Sequence, residues 1–244
     1  MHLPHAARLL AMSAIVMLPR ARAADGAADR LRHELAPVRR VAVLPAFFGA
    51  TTATDDGTEN QKQGEEPKRK EYLADLQTLA DHEKMQMPGR VEARTPFKVT
   101  AASEVCAALR DAKLTPEKMF QNEGRIRNMK FSPPDPIAVK EIANRLHVDA
   151  LILTTLDAPH RTNGQYYVDV YGLNYDAAHA RAKAAFFVVL ADGTEVFHDY
   201  VEALHPVTRS SGSRSYIMAD WTEAEDTVVE DFLDELSRYT PPAK

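Results

Sequence analysis

Asp135-Pro-Ile-Ala-Val-Lys-Glu-Ile-Ala-Asn-Arg-Leu-His-Val-Asp-Ala-Leu-Ile-Leu153 decides the fold class, because it reads as a capped amphipathic helix running straight into a buried strand. Asp135 has the short acceptor side chain suited to the position before a helix. Pro136 suits the first helical position, where its missing N–H removes no hydrogen bond. Ile137, Val139, Ile142, Ala143 and Leu146 recur at helical spacing, and His147 ends the helix. Ala150 to Leu153 is then an unbroken apolar run, as in a strand covered on both faces.

Upstream, Ala27 to Leu35 is a helical segment that ends near Pro37. Arg40-Val-Ala-Val-Leu-Pro-Ala-Phe-Phe48 is apolar almost throughout and predicts the first strand, with Pro45 marking its carboxyl end. From Gly49 to Lys70 the chain turns to Thr, Asp, Glu, Gln, Lys and Gly, too polar to bury and too long for an ordinary connection. This predicts a mobile surface insert. Tyr72, Leu73, Leu76, Leu79 and Ala80 form a helical stripe that Met87-Pro88-Gly89 stops. Phe97 to Thr100 is a short strand, and Ser103 caps a helix carrying Val105, Cys106 and Leu109. Thr115-Pro116-Glu117 starts a further helix that turns Met119 and Phe120 toward the core, and Ser132-Pro133-Pro134 leads rigidly into Asp135.

Downstream the pattern changes to strand after strand. Asn163-Gly164 is a turn, Tyr166 to Tyr175 is rich in aromatic and β-branched residues, and Asp176 to His179 turns the chain again. Ala180 to Leu190 is the next strand, and Asp192-Gly193 is a hairpin signal. That loop sets Leu190 opposite Glu195, Val188 opposite Phe197 and Lys183 opposite Glu202. Ala182, Ala184, Phe186, Val188 and Leu190 then face the core, with Lys183 and Glu202 paired on the other side. Asp199 falls opposite Phe186, which predicts a bulge or fraying there. Arg209-Ser-Ser-Gly-Ser-Arg-Ser215 is a flexible basic loop. Thr222 with Glu225 forms a capping box for a final helix whose buried stripe is Val228, Val229, Phe232, Leu233 and Leu236. Its other face, Glu223, Asp226, Glu230, Asp234 and Glu235, is a solvated acidic surface.

The amino terminus has the form of an export signal. Arg8 precedes the apolar run Leu9 to Leu18, Pro19 breaks it, and Ala21-Arg22-Ala23 supplies small residues for cleavage after Ala23. That run is about half the length needed to span a bilayer, and no later segment approaches it, so no membrane-spanning segment is expected. Losing Arg8, Arg20 and Arg22 with residues 1 to 23 takes the formal net charge from −5 to −8, which argues against nucleic acid as a partner. Cys106 is the only cysteine, so there is no intramolecular disulfide and no multi-cysteine metal site. Ala24 as the mature first residue predicts no lipid anchor, and Cys106 reads as a small core residue. The expected organisation is a signal peptide at 1–23, a lead-in segment at 24–38, and one α/β domain at 39–240 carrying the polar insert at about 49–70.

Chemistry is thinly marked. No His-Glu-x-x-His, phosphate loop, Gly-x-Ser-x-Gly or dinucleotide fingerprint occurs. An enzyme would have to be assembled from Asp157, His160, Asp169, His179, His198, Asp199 and His205, which lie on different strands and turns without ligand spacing. No catalytic, cofactor-binding or metal residue is assigned, and no cofactor is expected. Tyrosine suits contact surfaces as well as sheet packing. Tyr167 and Tyr171 share one face of their strand, and with Arg209 and Arg214 they are the candidate protein-contact residues.

Val41-Ala-Val-Leu-Pro45, Ile142-Ala-Asn-Arg-Leu-His-Val-Asp-Ala-Leu-Ile152 and Val188-Val-Leu-Ala-Asp-Gly-Thr-Glu-Val-Phe197 together resemble, in that order, a superfamily of bacterial envelope proteins. It comprises the amino-terminal domain of TolB, the outer-membrane activators of penicillin-binding proteins (LpoB-like) and the curli secretion lipoprotein (CsgG-like). The resemblance implies an α/β (α+β) fold: a small mixed sheet flanked by helices, TolB amino-terminal-domain-like, with a carboxyl-terminal antiparallel hairpin and a final helix. It also implies a non-enzymatic periplasmic or secreted docking or assembly module, engaging an envelope protein partner or self-associating. A hydrolase or metal-dependent enzyme built on the His and Asp residues is the second expectation, and an oligomeric secretion or scaffold subunit the third.

Overall fold

The computed structural model describes residues 25–49, 66–124, 131–157, 179–206 and 214–241. In chain order these form α1 (Asp25–Leu35), β1 (Arg40–Val43), β2 (Phe47–Gly49), α2 (Glu66–Arg94), β3 (Lys98–Val99) and α3 (Ala102–Asp111). Then come α4 (Pro136–Leu146), β4 (Ala150–Asp157), β5 (His179–Leu190), β6 (Glu195–Pro206) and α5 (Arg214–Ser237). The strands make one mixed sheet in the order β3-β1-β4-β5-β6, with β2 also on β4. Pairs among β1, β2, β3 and β4 are parallel, and the β4-β5-β6 pairs are antiparallel. The expected mixed sheet with flanking helices, a carboxyl-terminal hairpin and a final helix is thus the fold observed. The expected export signal, positions 50–65 of the expected insert and the tyrosine-rich segment at 166–175 lie outside the described residues; of the expected insert, Gly49 ends β2 and positions 66–70 begin α2.

The deciding stretch behaves as its chemistry dictates. Asp135 Oδ1 accepts the N–H of Ile137 at 2.8 Å and of Ala138 at 3.3 Å, so the first orphan amides of α4 are satisfied. His147 closes the helix in the left-handed region at φ 52°. Ile137 departs from expectation and is 77 % exposed, while Ala138, Val139, Ile142, Ala143 and Leu146 are buried. Two positions along a helix are about 200° apart, so Ile137 and Val139 cannot share the buried face.

Asp149 then joins the two halves of the sheet. Its Oδ2 accepts the N–H of both Arg39 and Arg40 at 2.8 Å, and its own N–H donates to Arg40 O at 2.8 Å. That clamp starts β1 beside β4 with Val41 opposite Ala150. Pro45, which cannot donate to a ladder, ends β1 as expected, but the chain resumes pairing immediately: β2 sets Phe47 opposite Thr155. Residues 44–46 therefore bulge against 153–154.

The hairpin keeps most of its expected register. Val188 faces Phe197, Lys183 faces Glu202 with Nζ 3.6 Å from Oε2, and Phe186 faces Asp199. The irregularity falls between Val188 and Val189 instead of at Asp199, so Val189, not Leu190, meets Glu195. β5 is buried on both faces. Ala182, Ala184, Phe186 and Val188 pack beneath α5, and Ala185, Phe187 and Val189 join the core under α3 and α4. Phe186 stacks on Phe232 with centroids 4.3 Å apart. Each such fully buried large side chain contributes roughly 1.5–3 kcal/mol.

The helices bring the main corrections. α2 runs through Met87-Pro88-Gly89 to Arg94 instead of stopping there, with Pro88 inside it. Met87 and Val91 are buried on either side of the proline, and this packing outweighs the lost backbone bond. α5 begins at Arg214, so Thr222 and Glu225 are interior helix residues and not a capping box, and Arg214 belongs to the helix, not to a loop. α3 starts at Ala102 with Ala101 before it and no side-chain cap, so Ser103 lies inside the helix. Thr115 precedes a short 3₁₀ turn, Pro116–Met119, without capping it, though Met119 and Phe120 are buried as expected. Cys106 is only half-buried and belongs to neither core.

The expected stripe of α5 is buried throughout. Its acidic face, expected to be solvated, docks α2. Arg90 Nη2 lies 2.6 Å from Asp226 Oδ1, Arg94 bridges Glu230 and Asp234, and His82 Nε2 stands 3.3 Å from Asp226 Oδ1.

Candidate protein-contact face

β6 alternates between two environments. Phe197, Val201 and Ala203 join the core beneath α5. His198, Tyr200 and Glu202 point to the opposite side, which α3 and α4 cover over β4 and part of β5. Among the described residues no helix covers this end of the sheet, the feature of the structure best suited to a partner.

Its centre is Tyr200, 54 % exposed and set opposite the small Ala185 of β5. Phe131 stacks on it with centroids 5.8 Å apart and planes 27° apart. The His198 ring lies 5.4 Å away, and buried Phe187 meets the phenol edge-on at 6.3 Å. Phe187 continues inward to Phe120 at 5.7 Å and Phe120 to Phe47 at 5.2 Å. The exposed ring thus rests on an aromatic floor anchored in the core, in the offset and edge-to-face geometries aromatic pairs prefer. Partial removal from water, then the charge of Glu195, raise the Tyr200 pKa. His198 Nδ1 is 2.7 Å from Glu195 Oε1, and Lys183 with Glu202 flanks the patch. The result is a packed aromatic centre with a charged rim, the composition that interface anchors have.

Phe131 is held there by a pinched loop. Gln121 N–H donates to Pro133 O at 2.9 Å and Asp135 N–H to Met119 O at 2.8 Å, closing the chain between Phe120 and Pro134. Asn122, Glu123 and Gly124 are successive left-handed residues, and Gly124 leaves the space that the Phe47 ring fills. At the other end of the hairpin, Gly193 has φ 87° and lies against Pro136. Asp192 Oδ1 accepts the Thr194 N–H at 2.8 Å, and this bond lowers the Asp192 pKa.

Tyr167, Tyr171 and Arg209 lie outside the described residues, and Arg214 is placed only as the first residue of α5. The sequence signal for Tyr200 is the hairpin register itself, which sets it on the same face as Lys183 and Glu202. Of the enzyme candidates, His198 sits on the rim beside Glu195, and Asp199 faces Phe186 across the strand pair. Asp157 lies in β4, His179 in β5 and His205 in β6, and His160 and Asp169 lie outside the described residues. Among the described residues no three His, Cys, Asp or Glu side chains gather as a metal site, and no helix is long and apolar enough to cross a membrane.

No protein-family model matches the chain, and no curated protein matches its sequence. The solved structures to which the chain is similar include two. One is the crystal structure of lipoprotein GNA1162 from Neisseria meningitidis, at 12 % identity and a TM-score of 0.39, over 80 % of this chain and 99 % of that one. The other is the LpoB carboxyl-terminal domain from Salmonella enterica, at 10 % identity and a TM-score of 0.30, over 72 % of this chain and 93 % of that one. Both likenesses are loose, and the fold described above stands on its own strands and register.

Proposed function

We propose that the protein is a non-enzymatic docking or assembly module of the bacterial cell envelope, exported by residues 1–23 and working in the periplasm or beyond. It engages a protein partner through the uncovered face of β6. The observation that carries this reading is Tyr200, half-exposed and packed on Phe131 and the buried ring of Phe187. A packed aromatic of this kind gives contact area at little entropic cost. The three motifs that resemble the envelope superfamily, and the amino-terminal export pattern, support the compartment. Recognition, and not turnover, is the mechanism of this reading, with His198 held on the rim of the patch by Glu195.

The test is a photo-crosslinking residue placed at Tyr200 in the full-length protein in intact cells, with Met85 on α2 as a control position of high exposure. Adducts to a defined envelope protein at Tyr200 but not at Met85 support the reading. Equal labelling from both positions, or recovery of the chain in the cytoplasm with its first 23 residues uncleaved, overturns it.

A further inference from the structure

β6 carries its own complement. Counted outward from Tyr200, the uncovered face bears His198 on one side and Glu202 on the other at equal distance, while the α5 face bears Asp199 and Val201. Among the described residues β6 ends the sheet, so its outer hydrogen-bonding groups are a template for a further strand. We propose that a second copy of this chain supplies that strand, pairing β6 with β6 antiparallel about a two-fold axis through Tyr200. This rests on the reading of the β6 face as a docking surface and names its occupant.

The register follows from charge. With the axis at Tyr200, the two phenol rings meet at the centre, and His198 lies opposite the partner's Glu202 on both sides of it. Each imidazole then sits between Glu195 of its own strand, 2.7 Å away, and the partner's Glu202; each Glu202 sits between the partner's His198 and Lys183 of its own chain, 3.6 Å away. When protonated, the imidazole has one N–H donor for each of these two carboxylates, and like charges directly opposite destabilise a strand pair. Moving the axis to Asp199 sets two carboxylates face to face. Moving it to Val201 sets Tyr200 against the partner's Glu202 and leaves His198 opposite the partner's Leu204. With the axis at Tyr200, Asp199 meets the partner's Val201 directly and the partner's Asp199 only on the diagonal, about 7–8 Å away. A two-fold contact of one surface with itself is the commonest form of oligomer, and one strand with one patch makes a small, reversible interface.

Disulfide trapping tests both the pairing and its register, with the full chain carrying Cys106→Ala so that no native thiol competes. Opposed Cβ atoms at the axis lie about 4.5–5.5 Å apart, close enough for a disulfide after a small shift. Mild oxidation is expected to give about tenfold more covalent dimer from Tyr200→Cys than from Glu202→Cys, whose two copies lie roughly 13 Å apart along the strand. An equimolar mixture of His198→Cys and Glu202→Cys chains is expected to yield the mixed dimer. A Tyr200→Cys chain that stays monomeric, or a Glu202→Cys chain that traps itself equally well, overturns the proposal. If Tyr200→Cys stays monomeric while the photo-crosslinker at Tyr200 captures a different envelope protein in cells, the dimer is wrong and the docking face stands; if neither forms an adduct, both fail.

Discussion

Arg90 of α2 holds Asp226 of α5 at 2.6 Å, across 136 positions of sequence. Arg94 extends the ladder to Glu230 and Asp234, and His82 adds a second contact to Asp226. A face of α5 that looks solvated in isolation is thereby an internal seam. Arg90→Ala and Asp226→Ala are each expected to cost about 1 kcal/mol, with a coupling of roughly 0.5–1 kcal/mol in the double variant, because both groups are partly exposed. Urea unfolding of the four proteins measures this, and the coupling is expected to shrink at high salt.

Asp149 makes a different kind of contact, to two backbone amides. Asp149→Ala leaves the Arg39 and Arg40 N–H groups without their acceptor and is expected to destabilise by about 1–2 kcal/mol. Asp149→Asn keeps an acceptor oxygen and is expected to lose less. Amide hydrogen exchange locates the effect: Arg39 and Arg40 should exchange faster in the alanine variant while the amides of β5 keep their relative protection.

Gly193 combines a positive φ with a crowded approach. A Cβ there would lie 2.9 Å from both Cβ and O of Pro136. Gly193→Ala is expected to cost about 1–3 kcal/mol from strain and overlap. Gly193→Asn separates the two causes in thermal unfolding: asparagine tolerates the backbone angle but carries the same Cβ, so it should recover only part of the loss.

Asp192 gives a pH signature. Its folded pKa lies below the ordinary value, chiefly because the carboxylate accepts the Thr194 N–H. A depressed carboxylate contributes stability that is present above the unfolded pKa, near pH 4, and is lost as pH falls through the folded value. The stability difference between the native protein and Asp192→Ala is therefore expected to be constant at neutral pH and to narrow below about pH 4. A difference that widened on acidification would contradict the assignment.

What could be read along the chain was what neighbouring residues settle among themselves. The Asp135-Pro136 helix start, the break at Pro45, the apolar stripe of α5 and the pairings of Val188 with Phe197 and Lys183 with Glu202 all depend on groups close in sequence. The persistence of α2 through Pro88 was not legible, because Met87 and Val91 are held by packing that only the tertiary fold supplies. Ile137 shows the same limit in miniature: apolar character does not reveal which side of a helix meets the sheet. Tyr200 was illegible as a site because its exposure depends on where α3 and α4 stop covering the sheet, a property of layers and not of the strand's own residues.

The mixed sheet also has a direction in time. β4, β5, β6 and α5 follow one another in the chain and lie side by side, whereas Arg40 meets Asp149 only across 109 positions. Contacts between distant parts of a chain form late because the loop between them must first be closed. In a chain delivered amino end first, the apolar β1 emerges before β4 exists to receive it. β3 can fill one of its edges, but the edge toward β4 must stay unpaired until Asp149 arrives, which makes Val41 to Val43 the stretch in greatest need of shielding during delivery.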